Sequence, residues 1–375
     1  MIVLTLSILL VLTFSYYLSF LWRVWRGLKF TARPGSSRTP SVSVIIAARN
    51  EGRNIQRCLD ALIHQDYGSD HYEIIVIDDH SSDHTRNLAL EYSMTITRPR
   101  IKVLALEEHQ GEGGKPAAIA HGIETSDGEI ILCTDADCFV PNSWIRSMAG
   151  CFDPSVVFVA GPVRERAGTD LFTSLQSLEF LGLLTTAAGL IGSGSPIICN
   201  GANIGYRKEA FQRVQGYARL KSSCDDETLM QRMITKNIGR VVFNSDPDAM
   251  VSTDAPPSIA EFWSQRTRWA AKRGRYEDLR VLLRLVALYA FFLTAFLAAV
   301  GSLMFPALRA LVLAVAVLKG LAEFVVLQSG ARLFASRLTL SHFLIAEVFH
   351  VPYIVFAAAI GQMKSIRWKD RTLDQ

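Results

Sequence analysis

The sequence lacks the motifs of three common protein classes. Its six cysteines are scattered and include no Cys-x-x-Cys pair, so neither a zinc site of that type nor a disulfide framework is indicated. No Gly-x-Gly-x-x-Gly motif follows a predicted strand, which disfavours a dinucleotide-binding domain. Gly111-Glu-Gly-Gly-Lys115 is not a P-loop, because the first glycine is missing at the required spacing and Pro116 replaces Ser or Thr.

Charged residues are scarce in four long stretches, although they make up 20% of the chain. Residues 1–22 and 285–305 contain none, and residues 307–327 and 338–363 contain few. Each stretch covers the roughly 20 residues that a membrane-spanning helix needs. We therefore predict an uncleaved N-terminal anchor and C-terminal membrane helices, in a multi-pass protein of the cytoplasmic membrane.

Basic residues flank these stretches and predict an orientation. Two groups of five border the central region: Arg23, Arg26, Lys29, Arg33, Arg38, and Lys272, Arg273, Arg275, Arg280, Arg284. Such clusters stay on the cytoplasmic side, so the central region should be cytoplasmic. The basic tail, residues 364–375, disagrees if the last stretch spans, and whether that stretch spans or re-enters stays open. The net charge of +4 comes largely from these clusters, which indicates lipid headgroups rather than nucleic acid as the partner.

The central region begins with alternating strands and helices. Short apolar runs predict strands at residues 42–47, 73–77, 102–106 and 130–133, with helices at 54–62, 82–92 and 116–124 between them. This alternation is typical of βαβ units and of a parallel sheet. A later apolar stretch, residues 171–191, is either a helix on the membrane or a helix of the domain core.

Polar side chains follow three of the predicted strands. Glu51 follows the first strand, Asp78 and Asp79 follow the second, and Asp135-Ala-Asp137 follows the fourth. In open α/β sheets, ligands bind at the carboxyl ends of the strands. If strand pairing continues through them, Asp135 and Asp137 face the same way and can hold a hard divalent cation, which in turn holds a diphosphate. The alternative is an acidic turn that precedes a helix.

Together these motifs resemble the GT-A domain of family 2 glycosyltransferases, over about residues 41–275. The resemblance is carried by residues 47–51, 76–85, Lys115, Asp135-Ala-Asp137, Asn200-Gly-Ala-Asn203, Asp225-Asp226-Glu227 and Gln265-Arg-Thr-Arg268-Trp269. It implies an α/β fold with a mixed, mainly parallel sheet, and the flanking helices match the membrane-bound branch of the family. His80 departs from the pattern, since many members have Gly or Asn there.

The resemblance also implies roles for individual residues. Donor binding falls to Glu51, Asp78, Asp79, Lys115, Asp135 and Asn203, and Mg²⁺ or Mn²⁺ binding to Asp135 and Asp137. Asp226 matches the general base, although an acidic helix N-terminus is also compatible with it. Gln265, Arg268 and Trp269 share one face of a helix, where Arg268 can pair with the diphosphate and Trp269 can stack on the sugar. The same helix can lie at the membrane interface.

The predicted layout has six parts: an anchor at 1–22, a basic linker at 23–40, the catalytic domain at 41–255, the interfacial helix at 256–278, membrane helices at 279–363 and a basic tail at 364–375. The predicted activity is inverting transfer of a sugar from a nucleotide sugar, with a UDP-sugar preferred, to a lipid hydroxyl at the cytoplasmic membrane face. The alternative is a processive polysaccharide synthase of the same family. The sequence does not indicate an oligomeric state.

Overall fold

The computed structural model describes residues 1–36, 38–106, 114–166, 168, 170–217, 225–270, 278–363, 366–368 and 371–373. Eleven strands are found in this part of the chain: β1 Val42–Ala48, β2 Tyr72–Asp78, β3 Arg100–Ala105, β4 Ile130–Cys133, β5 Val156–Ala160, β6 Val163–Arg166, β7 Ile204–Arg207, β8 Arg240–Phe243, β9 Val251–Asp254, β10 Ile366–Trp368 and β11 Arg371–Leu373. The first four strands begin and end within two residues of the predicted positions.

Twelve α-helices accompany these strands in the described residues: α1 Ile2–Gly27, α2 Ile55–Ile63, α3 Thr85–Thr95, α4 Lys115–Glu124, α5 Trp144–Ala149, α6 Leu171–Gly192, α7 Lys208–Arg213, α8 Asp225–Thr235, α9 Ile259–Ala270, α10 Leu279–Met304, α11 Arg309–Leu333 and α12 Leu340–Met363. The N-terminal helix therefore continues past the predicted anchor. Part of the predicted linker is attached to the domain, because the Ala32 amide donates to the Phe243 carbonyl.

Seven strands form one mixed, mainly parallel sheet in the order β3-β2-β1-β4-β7-β5-β8. β1 pairs in parallel with both β2 and β4, and β7 runs antiparallel to β4 and β5. A separate two-stranded parallel sheet pairs β6, which follows β5 in the chain, with β9. The predicted fold class is confirmed.

Alternate residues of the central strands enter two different hydrophobic cores. In β1, Val44 and Ile46 belong to one core and Ile45 to the other, and β4 alternates in the same way. Helices α2 and α5 cover the first face, whereas α4, α6 and α8 cover the second. Burial on both faces explains why these strands read as continuous apolar runs.

In the described part of the chain, five helices are long and apolar enough to cross a membrane: α1 with the turn that follows it, α6, α10, α11 with the turn that precedes it, and α12. These candidate spans indicate a membrane protein. Helix α6 belongs to the domain core, since Leu184 and Ala188 pack in the sheet core, and its Gly189 also meets α1. An added Cβ at Gly27 would overlap the Gly189 carbonyl, so the two helices approach closely only because both positions lack side chains.

A polar cluster joins three of the apolar helices. Lys319 of α11 lies 2.8 Å from a carboxylate oxygen of Glu323 and 2.8 Å from one of Glu347, the latter on α12. His350 lies 3.1 Å from Glu323, and the Tyr17 hydroxyl of α1 donates to Glu323 at 2.5 Å. These groups satisfy one another in an apolar setting, which is the usual arrangement of ionisable groups inside a membrane.

Candidate active site

The carboxyl ends of three neighbouring parallel strands form one edge of the sheet. β1 lies between β2 and β4, and the three strands end at Ala48, Asp78 and Cys133. The polar residues that follow each strand are therefore brought to a common edge, as the alternation of elements predicted. Crevices at this position bind ligands in open α/β sheets.

Asp79 is held rigidly between β1 and β2. Only 2% of Asp79 is exposed, its amide donates to the Ala48 carbonyl at 2.8 Å, and its carboxylate lies 2.9 Å from Nδ1 of His80. The Arg49 guanidinium donates to the backbone carbonyl of Asp79 at 3.0 Å. His80 has φ +58°, a left-handed conformation that Asn, Asp and His adopt more readily than other residues with side chains. Gly and Asn adopt the same conformation readily, so the departure at His80 is compatible with the turn.

The other two acidic residues of this end are also anchored locally. Asp78 is buried, and one of its carboxylate oxygens accepts from the Ser81 amide at 3.3 Å. Glu51 is half-buried, and its carboxylate accepts from the Asn54 side chain at 2.8 Å. Both carboxylates therefore have a fixed position at the strand ends.

Asp135 and Asp137 lie in a turn rather than on a continued strand. β4 ends at Cys133, and the Cys138 amide donates back to the Asp135 carbonyl at 3.0 Å. The expectation that strand pairing continues through the two aspartates is thus wrong, because the chain turns as soon as it leaves the sheet. The turn nevertheless brings ligand atoms of Asp135, Asp137 and Cys138 within 4.8 Å of one another.

The chemistry of these groups fits a hard divalent cation. Carboxylate oxygens are the ligands that Mg²⁺ and Mn²⁺ prefer. Burial raises the pKa of the Cys138 thiol well above its usual value, so this sulfur stays protonated and is a poor ligand. The two aspartates are therefore the groups that would hold the metal.

Lys115 connects the aspartate turn to Asp226. Its ammonium lies 2.6 Å from Oδ1 of Asp135 and 3.9 Å from Oδ2 of Asp226. Lys115 is the first residue of α4, directly after Gly114, which has φ +109°. Most of the predicted glycine-rich loop, residues 111–113, lies outside the described residues.

Asp226 lies in the first turn of α8. The residue is therefore part of an acidic helix N-terminus and also lies beside Lys115 in the candidate site. Burial raises the pKa of Asp226, the Lys115 ammonium opposes this shift, and Asp135 reinforces it. The Tyr217 hydroxyl donates to its Oδ1 at 3.3 Å. Asp226 is half-buried, with 14% of its side chain exposed, and a carboxyl with a raised pKa is suited to accept a proton near neutral pH.

Gly201 and Tyr217 are site residues that the sequence reasoning did not single out. An added Cβ at Gly201 would overlap Oδ2 of Asp226 and lie 3.1 Å from Nζ of Lys115. The signal for Gly201 was available, because it is the glycine of Asn200-Gly-Ala-Asn203. Tyr217 carries no motif, and only the fold brings it to Asp226.

Asn203 does not fit its predicted role in donor binding. Its side chain is fully buried and donates to the carbonyls of Pro162 and Ala249 at 2.8 and 2.7 Å. Its side-chain oxygen accepts from the Trp144 indole at 2.9 Å. Both N–H donors of the side-chain amide and one acceptor position of its oxygen are used inside the domain, so we assign Asn203 a structural role.

Gln265, Arg268 and Trp269 all lie on α9, as predicted. Helix α9 is shorter than predicted within the described residues, and residues 271–277 lie outside them. Trp269 contacts the Phe180 ring at 6.2 Å and packs on the core that contains Ala136, the residue between Asp135 and Asp137. The indole is therefore packed on the core on that face of the sheet.

Comparisons with known proteins identify the family and the fold. The profile described as Glycosyl transferase family 2 matches residues 43–215, and that described as Glycosyl transferase family group 2 matches residues 130–360, more than half of the chain. Glycosyltransferase AglE of Haloferax volcanii is 35% identical over 153 residues, 38% of this chain and 49% of the relative. A poly-β-1,6-N-acetyl-D-glucosamine synthase of Staphylococcus epidermidis is 27% identical over 248 residues, 65% of this chain and 56% of the relative.

One solved structure has the same fold over nearly the whole chain. It is a mannosyltransferase from Pyrobaculum calidifontis in complex with GDP-Man and Mn²⁺, with a TM-score of 0.60 and 20% identity, covering 96% of this chain and 99% of that one. The chain spans about half of the length of the two sequence relatives above. The match therefore establishes the fold, and the finer activity depends on the site.

Proposed function

The chain belongs to the family 2 glycosyltransferases, and from that premise we propose that it moves a sugar from a nucleotide-sugar donor to a hydroxyl group of a lipid acceptor. The observation that carries this proposal is the placement of Lys115 between Asp135 and Asp226. It joins a carboxylate suited to a metal with a half-buried carboxyl suited to accept a proton. Both groups are needed for transfer to a weakly nucleophilic hydroxyl.

The donor nucleotide is bound at the ends of β1 and β2. Glu51, Asp78 and Asp79 offer carboxylate oxygens to the hydroxyl and N–H groups of a nucleoside, and Lys115 offers a cation to the diphosphate. Asp135 and Asp137 would hold Mg²⁺ or Mn²⁺, which would neutralise charge on the leaving diphosphate. The solved mannosyltransferase complex with GDP-Man and Mn²⁺ supports a nucleotide sugar and a divalent metal, without selecting the base.

Asp226 accepts the proton of the attacking hydroxyl. The acceptor oxygen forms a bond to the anomeric carbon while the bond from that carbon to the diphosphate oxygen breaks, and the nucleoside diphosphate leaves. A single displacement of this kind inverts the anomeric centre. Gln265, Arg268 and Trp269 on α9 complete the site, with the Arg268 guanidinium suited to the diphosphate.

A lipid acceptor is supported by the arrangement of the apolar helices. The ionisable groups Lys319, Glu323, Glu347 and His350 pair with one another rather than lining a path. A growing polymer needs a polar exit, because an unpaired polar group in hydrocarbon costs several kcal/mol. A lipid hydroxyl reaches the site from the membrane surface and needs no such exit.

The C-terminal end of α12 supports a cytoplasmic catalytic domain. Gln362 donates to the carbonyl of Ala270 at 3.0 Å, so the C-terminal end of α12 lies beside the end of α9. This contact favours re-entry of the last apolar segment over a full span. Re-entry agrees with the positive-inside rule, which expects the basic tail on the same side as the two other basic clusters.

The second candidate is a processive synthase, which the Staphylococcus relative favours by its name. Incubation of the protein in membranes with a panel of labelled nucleotide sugars separates the two. We expect the label to enter organic solvent as one discrete, β-linked species when the donor is an α-nucleotide sugar. Label in water-soluble material of high molecular weight would favour the synthase, and label in neither fraction with any donor would contradict both.

A further inference from the structure

Arg266 is a buried arginine on the helix that carries Gln265, Arg268 and Trp269. Only 3% of Arg266 is exposed, although it lies in a sequence of largely polar residues. Its guanidinium lies 3.1 Å from a carboxylate oxygen of Glu165 on β6 and 2.6 Å from one of Glu179 on α6. One side chain therefore ties α9 to two separate elements of the domain.

The same guanidinium also contacts the residues proposed for the active site. It donates to the side-chain oxygen of Gln265, and it lies 4.4 Å from the centre of the Trp269 ring and 4.7 Å from that of Phe262. Arginine stacks well on aromatic rings, and its planar donors fix two carboxylates at once. The rotation of α9 about its own axis is thus fixed at Arg266.

Helix α12 adds a second set of contacts along α9. The Tyr353 hydroxyl donates to Glu179 at 2.7 Å, on the carboxylate that pairs with Arg266, and its ring lies 6.0 Å from those of Phe262 and Trp263. Further along, an added Cβ at Gly361 would lie only 2.9 Å from the Thr267 carbonyl oxygen. The C-terminal half of α12 therefore packs along α9, from Phe262 to Thr267.

Two carboxylates, those of Glu165 and Glu179, share the single positive charge of Arg266. Burial raises the pKa of Glu165 to about 7, against the opposing effect of the Arg266 charge. Glu165 is therefore partly protonated near neutral pH, and Glu179 is the main counterion. Removing one partner of a buried pair leaves an uncompensated charge, so the cluster resists displacement of α9.

We propose that Arg266 is a positioning residue for sugar transfer, which holds Gln265, Arg268 and Trp269 in place by anchoring α9 to β6, α6 and α12. The inference rests on the proposed function for its catalytic consequence. The proposal gives Arg266 no contact with donor or acceptor. Arg266 therefore acts through the backbone and the side chains of α9. Its loss lowers the rate of transfer and leaves nucleotide binding at Glu51 and Asp79 largely intact.

The test compares three variants of the full-length protein in lipid nanodiscs. Arg266→Lys keeps the charge and loses the two-carboxylate geometry, Tyr353→Phe removes one hydroxyl from Glu179, and Glu261→Gln changes an exposed residue of the same helix as a control. Binding of UDP and GDP with Mn²⁺ counts the folded sites, kcat is expressed per such site, and hydrogen exchange reports the backbone of residues 259–270.

We expect kcat per site to fall about 10- to 100-fold in Arg266→Lys, the loss that a small misplacement near the chemistry causes. Tyr353→Phe should lose about three- to tenfold, as for one hydrogen bond. In both, the nucleotide Kd rises by a smaller factor than kcat falls, because Glu51 and Asp79 are unchanged and only the Arg268 contact to the diphosphate weakens. Exchange in residues 259–270 rises in both, whereas Glu261→Gln matches the wild type. If Arg266→Lys does not fold, Tyr353→Phe decides alone.

Two results would overturn the inference. Wild-type kcat per site with wild-type exchange would show that the anchor is dispensable, and a loss of nucleotide affinity with wild-type exchange in residues 259–270 would place Arg266 itself in donor binding. If the wild type itself transfers no sugar from any donor, the proposed function fails. The exchange of residues 259–270 then still decides whether Arg266 holds α9.

Discussion

The Lys115 ammonium lies 3.9 Å from the carboxylate of Asp226. This distance matters because burial raises the pKa of Asp226 while the lysine charge opposes the rise. Lys115 also contacts Asp135, so the same cation faces the carboxylate proposed for the metal and the one proposed as the base. The charge of Lys115 therefore acts on both carboxylates, and it favours the ionised form of Asp226.

The pH dependence of transfer should move when Lys115 is replaced. Asp226 must be ionised to accept a proton, so kcat/KM falls as the pH decreases through its pKa. Lys115→Gln removes a nearby positive charge, the pKa of Asp226 rises further, and the acid limb of the profile moves to higher pH. Profiles of kcat/KM, which report the free enzyme, check this shift. The exposed Lys236→Gln should leave the limb in place, and an unmoved limb in Lys115→Gln would separate Lys115 from Asp226.

Activity should require a divalent metal held by Asp137. Excess chelator should abolish both transfer and donor hydrolysis, and Mg²⁺ or Mn²⁺ should restore them, since the leaving diphosphate needs charge neutralisation. Asp137→Asn should need much more metal for half-maximal rate. Asp153→Asn, on an exposed loop, is the control. Full activity in excess chelator would contradict the metal assignment.

Gly201 should not tolerate even alanine. An added Cβ would overlap Oδ2 of Asp226, so the carboxylate or the backbone has to move. Overpacking costs about 1–3 kcal/mol, and we expect kcat to fall by about tenfold or more. Gly35→Ala is the control, because its added Cβ meets only the Arg33 carbonyl at 3.9 Å. Equal rates in the two variants would argue that Asp226 has no fixed place in the reaction.

The polar cluster of the membrane helices should be critical for stability. Lys319→Met leaves Glu323 and Glu347 without their shared cation, and breaking a buried pair costs about 3–5 kcal/mol. Thermal unfolding in detergent should show a large decrease in Tm. The double variant Lys319→Met/Glu323→Gln should recover part of it, because one carboxylate is removed with the cation. Leu318→Met, an exposed neighbour, should be near neutral. A Tm for Lys319→Met equal to that of Leu318→Met would contradict this role.

The sequence predicted the sheet well because its signal is local. Strands such as Ile130–Cys133 are short apolar runs that end at polar residues, and burial on both faces leaves little ambiguity. Motif order then predicted which strand ends carry carboxylates. The turn at Asp135–Asp137 could not be read from the strand that precedes it, because turn geometry depends on the hydrogen bond from Cys138 rather than on apolar periodicity.

Long-range contacts account for the residues that the sequence misjudged or missed. Asn203 belongs to a motif, yet its partners Trp144, Pro162 and Ala249 are distant in the chain. Arg266 was passed over because helical spacing groups Gln265, Arg268 and Trp269 on one face and says nothing of Glu165 or Glu179. Such pairings between elements depend on the tertiary fold, which the sequence pattern alone does not specify.

The assignment of Asp226 as the base is the central claim, and one comparison on a single preparation tests it. Asp226→Asn should bind UDP or GDP with Mn²⁺ within about threefold of the wild type, because Glu51, Asp79 and Asp137 are unchanged. Its kcat for transfer should fall by about 10²–10⁴, the range for loss of a general base. Nucleotide binding and transfer measured together on wild type and Asp226→Asn therefore decide the matter: intact binding with this loss is the predicted result, and intact binding with an unchanged kcat would contradict the account.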